Sequence, residues 1–186
     1  MSKSAQAIVG QMKSTTGEIR LEELPTPIGT IQLVTTASGA ISYIDWEKRR
    51  DRLHRFMLHR YGMVVVPRGA SGEPTRARSR LAAYFDGDLK ALDCVPVDAA
   101  GTTFQTAVWS ELRRIPAGET ISYRDLAVRI GKPSATRAVA LANGANPIPI
   151  VVPCHRVIGS RGTLTGFGGG LERKLWLLTH ERALLA

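Results

Sequence analysis

Asn146-Pro-Ile-Pro-Ile-Val-Val-Pro153-Cys154-His155-Arg156-Val157-Ile158 is the stretch around which the rest of the chain is arranged. An apolar run, Ile148 to Val152, is punctuated by prolines at 147, 149 and 153 and delivers a thiol beside an imidazole and a guanidinium. Proline fixes its own φ and restricts the residue before it, so an extended, stiff segment is expected. A thiolate is the reactive form of cysteine, and neighbouring His or Arg groups lower its pKa. A buried cysteine that only packs is the competing reading. Three polar or cationic groups crowded onto an apolar, proline-bound segment favour chemistry.

Upstream, Ser134 is expected to cap a helix from Ala135 to Asn143, with Ala135, Ala138, Val139 and Ala142 inward at about 100° per residue. Arg137, Ala140, Leu141 and Gly144 then lie opposite. Such a face of small residues around one long cation can approach another backbone closely; an alanine-rich surface helix with a solvated arginine reads equally well. Gly131-Lys-Pro133 separates this helix from a shorter one whose start, Ser122-Tyr-Arg-Asp125, has capping-box spacing, with Leu126, Ala127 and Ile130 inward. Two short helices joined by a glycine-containing turn make a helix-turn-helix candidate. Before them, Thr103 is expected to cap Phe104–Ile115, buried along Phe104, Val108, Leu112 and Ile115. After Cys154 come two glycine loops, 159–162 and 165–170, and a last helix over 171–183 with Leu171, Leu175 and Leu178 inward. These loops fit neither a Walker motif nor a dinucleotide fingerprint.

The first half reads differently. Ile28–Thr36 and Ala40–Trp46, flanking the Ala37-Ser-Gly39 turn, predict strands of a meander spanning Glu18 to Glu47. Trp46–Tyr61 predicts a helix with Leu53, Phe56, Met57 and Tyr61 on one stripe and Arg49, Arg50, Arg52 and Arg55 on a solvated face. Val64–Pro67 suggests another strand, Gly69–Thr75 a loop, and Thr75–Phe85 a helix. Residues 1–17 suggest a loosely ordered start, and 89–100 a connector. The fold class is therefore α/β of the α+β kind. An N-terminal domain, 1–95, builds a small antiparallel sheet with helices, and a mostly helical C-terminal domain, 96–186, contains the helix-turn-helix.

The chain has 186 residues, 44% hydrophobic and 22% charged, which suits a soluble globule with a real core. No apolar run is long enough for a membrane span and the N-terminus lacks a signal peptide's apolar core. Two cysteines without a CxxC pair argue against a disulfide framework or a thiolate zinc site; a cytoplasmic setting is expected. The net charge is +9, distributed unevenly. Residues 1–100 hold 14 basic against 11 acidic side chains, and residues 101–186 hold 11 against 5. A cationic second half suits a polyanionic partner. His54 and His59 share a helix, but nothing adds further ligands, so no metal site is expected.

The motif order closely resembles the methylated-DNA–protein-cysteine methyltransferases, the alkylguanine-DNA alkyltransferases, and in particular the bacterial stand-alone type. The likeness rests on Pro153-Cys-His-Arg-Val157, the preceding Ala138–Pro147, the glycine loop and Trp176-Leu-Leu-Thr-His-Glu181, and covers Thr103 to Glu181. It implies repair of guanine alkylated on its exocyclic six-position oxygen, with alkylated thymine as a second substrate, by single, irreversible transfer to Cys154 without a cofactor. His155 would deprotonate the thiol through a water, oriented by Glu181, while Asn146 braces the turn and Tyr123 assists base rotation and guanine departure. Arg137 would fill the vacated stack; Ser134, Ala140, Gly144 and Ser160 would face DNA, the helix lying in the minor groove. Pro149, Val157, Phe167 and Gly168 would form the pocket. The partner implied is duplex DNA carrying alkylated guanine, met by a monomer that can cluster along it. Where relatives often carry a tyrosine, this chain has Phe167; at Gly168 base recognition would fall to backbone N–H groups. The ligand set for the zinc of some relatives is missing, and Cys94 reads as structural. A hydrolase using Cys154, His155 and Glu181 and a non-catalytic DNA-binding regulator are the rival readings; neither uses both the thiol segment and the helix.

Overall fold

The computed structural model describes residues 19–62 and 73–183. The expected loose start and the Val64–Pro67 strand lie outside those residues, as does most of the Gly69–Thr75 loop. Three antiparallel strands, β1 (Arg20–Leu24), β2 (Ile31–Thr35) and β3 (Ile41–Trp46), form the meander, with Leu24 opposite Ile31 and Ile31 opposite Trp46. Every residue of β2 and β3 is buried, because the sheet is covered on both faces. Leu21, Val34 and Tyr43 meet Leu53 and Met57 of α1 (Arg50–Tyr61) on one side. Ile31, Leu33, Ile41 and Ile44 join the main core on the other. The expected connector is also tied in: Val97 bridges Ile41, whose N–H donates to the Pro96 carbonyl.

Trp46 ends a strand, and a 3-10 turn over Glu47–Arg49 precedes α1. The expected stripe is kept, with Leu53 and Met57 buried and Phe56 stacked on Tyr43 at 4.4 Å between ring centres. The expected solvated face is only partly so. Arg52 and Arg49 lie 3.4 and 3.9 Å from the buried Asp45 carboxylate of β3, and Arg49 also donates to the Gly168 carbonyl. Thr75 caps α2 (Arg76–Phe85) by accepting from the Arg78 N–H, and its hydroxyl donates to Glu22 of β1.

The second half packs α3 (Thr103–Leu112), α4 (Tyr123–Arg129) and α5 (Thr136–Gly144) together. Thr102, not Thr103, caps α3, through a complete capping box with Gln105. Its buried stripe includes Trp109 as well as Val108 and Leu112, and the indole N–H donates to the Ala142 carbonyl of α5 at 2.9 Å. Gly101 is fixed by the same ring, since a Cβ there would sit 2.5 Å from it. The Ser122–Asp125 box is present in both directions, and Gly131, at φ +70°, makes the turn into α5. Ser134 does not cap α5: the helix starts after Ala135 without a side-chain cap. Ala138, expected inward, is exposed; Val139, Ala142 and Asn143 form the buried face.

Two departures bear on the site. The 146–158 segment is not extended. Its apolar part closes into a loop through a Pro149–Val152 bridge, Ile150 takes φ +78°, and Cys154–Arg156 forms one 3-10 turn before β5 (Val157–Ile158). A left-handed β-branched residue is a real outlier, held here by its surroundings. Strand β5 pairs in parallel with β4 (Ile121–Ser122), which places the start of α4 beside the thiol segment. The last helix, α6 (Leu171–His180), is also rotated from expectation. Leu171 and Leu175 are exposed, while Lys174, Leu177, Leu178 and the following Glu181 are buried.

Candidate active site

Asn146 closes the loop that delivers the thiol. Its Oδ1 accepts from the Ile148 N–H at 3.0 Å and its Nδ2 donates to the Val152 carbonyl at 2.7 Å. The Cys154 N–H then donates to that same carbonyl, and Asn143 of α5 donates to the Cys154 carbonyl at 3.3 Å. Two side-chain amides thus fix the backbone on either side of one sulfur.

Glu181, at the C-cap of α6 and 1% exposed, gathers the neighbouring side chains. Its Oε1 lies 3.1 Å from His155 Nε2 and accepts from Arg156 Nη2 at 2.7 Å and the Tyr84 hydroxyl of α2 at 2.7 Å. Its Oε2 accepts from Arg156 Nε at 2.8 Å, while Arg156 Nη1 donates to the Ile115 carbonyl at 2.5 Å. Burial opposes ionisation of Glu181, but the bonds from His155 and Arg156 outweigh it and hold the carboxyl well below its ordinary range. Burial lowers the His155 pKa, against the pull of Glu181, and the cations Arg156 and Lys174 lower it further. A neutral imidazole beside a carboxylate carries its hydrogen on Nε2. That leaves Nδ1 as a lone pair; it is buried and has no hydrogen-bond partner.

Cys154 is 5% exposed, and burial pushes its thiol up to about 11, against the lowering pull of the Asn146 bond and of Lys174. The expectation that the adjacent His and Arg would leave it partly ionised is therefore corrected. Arg156 spends its charge on Glu181, and His155 is neutral. Lys174 was not found from the sequence. Fully buried, it donates to the Val157 and Thr165 carbonyls at 2.6 and 2.7 Å, and burial brings its ammonium down to about 8.

Cys154, Asn146, Pro149, Phe167 and Gly168 line one cavity that opens to solvent. Gly144, expected on the DNA face, lines it as well, as do Tyr43, Asp45, Trp46 and Arg52 from the first half. Val157 does not: its side chain is buried on β5, and its carbonyl anchors Lys174. Tyr123 is half-buried at the start of α4, its pKa raised by burial and opposed by hydrogen bonds to Thr165 and Asn143, with Cys154 close enough to be felt. Arg137, Ala140, Leu141 and Gly144 all lie exposed along α5, Leu141 at 77%. Ser134 and Ser160 are exposed at either side of the segment, and Cys94 is exposed rather than packed. Among the described residues no group of three or more His, Cys, Asp or Glu side chains could hold a metal, and no helix is long and apolar enough to cross a membrane.

Residues 103–183 match the family model described as 6-O-methylguanine DNA methyltransferase, DNA binding domain. The chain is 45% identical over 164 residues to the methylated-DNA–protein-cysteine methyltransferase of Salmonella typhimurium, an alignment covering 88% of this chain and 96% of that one. This chain belongs to the methylated-DNA–protein-cysteine methyltransferase family. The resemblance read from Pro153–Val157 and its flanks is borne out, and with it a DNA-repair methyltransferase of mixed α/β fold. The crystal structure of the Mycobacterium tuberculosis O6-methylguanine methyltransferase superposes with a TM-score of 0.70 at 40% identity, covering 89% of this chain and 93% of that one. A DNA-bound structure from the same organism gives 0.70 at 40% identity, over 86% and 91%. The family member from the archaeon Pyrococcus kodakaraensis gives 0.64 at 26% identity, over 88% and 99%.

Proposed function

We propose that this methyltransferase repairs duplex DNA by taking the alkyl group from the exocyclic six-position oxygen of guanine onto Cys154, once per molecule. The observation that carries this reading is a buried thiol followed in the chain by a buried imidazole whose Nε2 is held by Glu181 and whose Nδ1 has no partner. The flipped nucleotide enters the cavity, as chemistry on a base requires. His155 Nδ1 receives the thiol proton through a bridging water, and the imidazolium so formed is stabilised by Glu181. The sulfur then forms a bond to the alkyl carbon as the carbon–oxygen bond breaks. The electron pair of that bond stays with the purine, which takes up a proton from the Tyr123 hydroxyl, and the His155 imidazolium gives up its proton through water to restore the phenol. The net change is alkyl onto sulfur and the thiol proton onto guanine, with no cofactor consumed.

The exposed face of α5 supplies the second half of the reading. Ala140 and Gly144 let the helix approach a narrow groove, Leu141 offers an apolar contact, and Arg137 reaches the place the base leaves, a use of side chains suited to the minor groove. Ser134 and Ser160 contact the backbone nearby. Residues 1–95 support a DNA-binding and alkyl-accepting unit over 96–186, the reading needs one chain only, and a reducing cytoplasm keeps the thiol available. Intact mass after mixing with an oligonucleotide containing methylated guanine is the test. A gain of one methyl replacing one hydrogen is expected for the parent and none for Cys154→Ala, which keeps DNA affinity. A mass gain in Cys154→Ala, or none in the parent, defeats the assignment.

A further inference from the structure

Residue 168 has no side chain, yet the space above it is occupied by guanidinium. A Cβ built on Gly168 would lie 3.8 Å from Arg52 Nη1 and 3.9 Å from Arg49 Nη1. Both arginines come from the first half of the chain, more than a hundred residues away. Their roles differ. Arg49 is a strap: it donates to the Gly168 carbonyl and so pins the glycine loop to the 3-10 turn that leads into α1. Arg52 lines the Cys154 cavity and is the one cation among the described residues that do so. Its partner is Asp45, 3.4 Å away and 4% exposed. Asp45 is itself fixed, accepting from the Tyr43 hydroxyl at 3.1 Å and the Trp46 N–H at 2.9 Å. A guanidinium carries five N–H donors, and one ion pair leaves most of them available on a side chain that lines the cavity.

We propose that Arg52 is a substrate-contacting, specificity-determining residue, its free N–H donors engaging the acceptor edge of the flipped purine where residue 168 offers no side chain. The inference rests on the functional reading above. Guanine's six-position oxygen and its seven-position ring nitrogen form the acceptor pair that a guanidinium matches. That edge gains negative charge as the carbon–oxygen bond breaks, so the contact strengthens in the transition state. Asp45 acts through Arg52, as a positioning residue. The N-terminal half would thereby help choose the substrate as well as support the fold.

Single-turnover transfer from a duplex carrying methylated guanine tests this with Arg52→Ala, Arg52→Lys and the double variant Arg52→Ala/Gly168→Ser. Gly168 has no positive φ, and a serine there has room, so the double variant introduces a new donor without strain. The plateau rate should fall roughly ten- to a hundredfold in Arg52→Ala, the worth of a hydrogen bond to a charged group, with partial recovery in the other two. Two measurements should stay near parental: affinity for undamaged duplex, and the rate at which iodoacetamide alkylates Cys154. A parallel fall in the iodoacetamide rate would make Arg52 merely architectural, and lost affinity for undamaged DNA would make it a phosphate contact. An unchanged plateau would also overturn the proposal. A parent that transfers nothing would sink the functional reading instead, and this inference with it.

Discussion

Replacing Glu181 by glutamine tests the centre of the site with one atom changed. The carboxylate, 1% exposed, receives N–H or O–H groups from Tyr84, His155 and, at both oxygens, Arg156. A glutamine oxygen can stand in for one carboxylate oxygen, but its amide group then faces an N–H of Arg156 or His155. The buried guanidinium, 8% exposed, loses its counter-charge. Breaking a buried pair by removing one partner costs about 3–5 kcal/mol. The retained Ile115 carbonyl bond and the surviving acceptor place Glu181→Gln near the lower end. Because the Glu181 carboxyl is held below its ordinary value, its contribution is present above the unfolded-state carboxylate pKa and disappears as pH falls through the native one. The parent and variant stability curves should therefore lie about 3 kcal/mol apart at neutral pH and converge in acid. Chemistry suffers separately, since the imidazolium formed on proton transfer would lack its anion, and transfer should slow by about 10²-fold. Urea unfolding across pH and single-turnover mass spectrometry read the two effects. A stability loss under about 1 kcal/mol together with an unaltered pH–rate profile would refute the argument.

Lys174→Met removes the positive charge that pulls the Cys154 thiol down from still higher values. Iodoacetamide labelling of the DNA-free parent should accelerate only as pH approaches about 11, and the variant should label more slowly than the parent below about pH 8, where the lysine still carries its charge, with transfer slowed roughly tenfold. The parent's stability should also rise with pH between about 8 and 10.5, where the unfolded chain holds the lysine proton and the native one releases it; the variant should lack that rise. Arg137→Ala should slow transfer from duplex by at least about tenfold while single-stranded substrate reacts near the parental rate, because only the duplex needs its stack refilled. Equal losses on both substrates would remove the finger role.

Signals carried by neighbours in sequence were legible. The Ser122–Asp125 box, the Gly131 turn and the small exposed face of α5 follow from spacing and cap chemistry, and all are present. What needed the third dimension was misread. Prolines at 147, 149 and 153 suggested an extended segment, but Asn146 bonds across to Val152 and forces Ile150 into the left-handed region. In α6, Leu171, Leu175 and Leu178 made an apolar stripe, yet Lys174, Leu177, Leu178 and Glu181 repeat at i, i+3, i+4 and i+7 equally well. Hydrophobicity favoured the first stripe. The second is buried because two backbone carbonyls receive Lys174 while His155 and Arg156 receive Glu181. No scale of apolar periodicity anticipates a fully enclosed lysine. Arg49 and Arg52 failed for a related reason: their partner, Asp45, sits on a strand that looked like any other half-polar edge.

The protonated state of Cys154 protects the acceptor thiol from being spent on the wrong partner. A sulfur standing ionised at neutral pH would be open to any soluble electrophile, and each encounter would spend the molecule. Here burial keeps the thiol protonated, and the groups able to change that are already in place: a bare Nδ1 on His155, Glu181 behind it, and the Lys174 ammonium nearby. The imidazole is also a weak base at rest, lowered by burial and two cations. Separating thiolate from imidazolium is therefore uphill until something gains from the negative sulfur. In the reaction proposed above, a reactive carbon seated in the cavity would supply that gain, since the charge would pass through sulfur into the departing purine, where Tyr123 and Arg52 would offer hydrogens. Selectivity for a lesion then arises from coupling deprotonation to bond breaking, and a permanently activated cysteine would forfeit it.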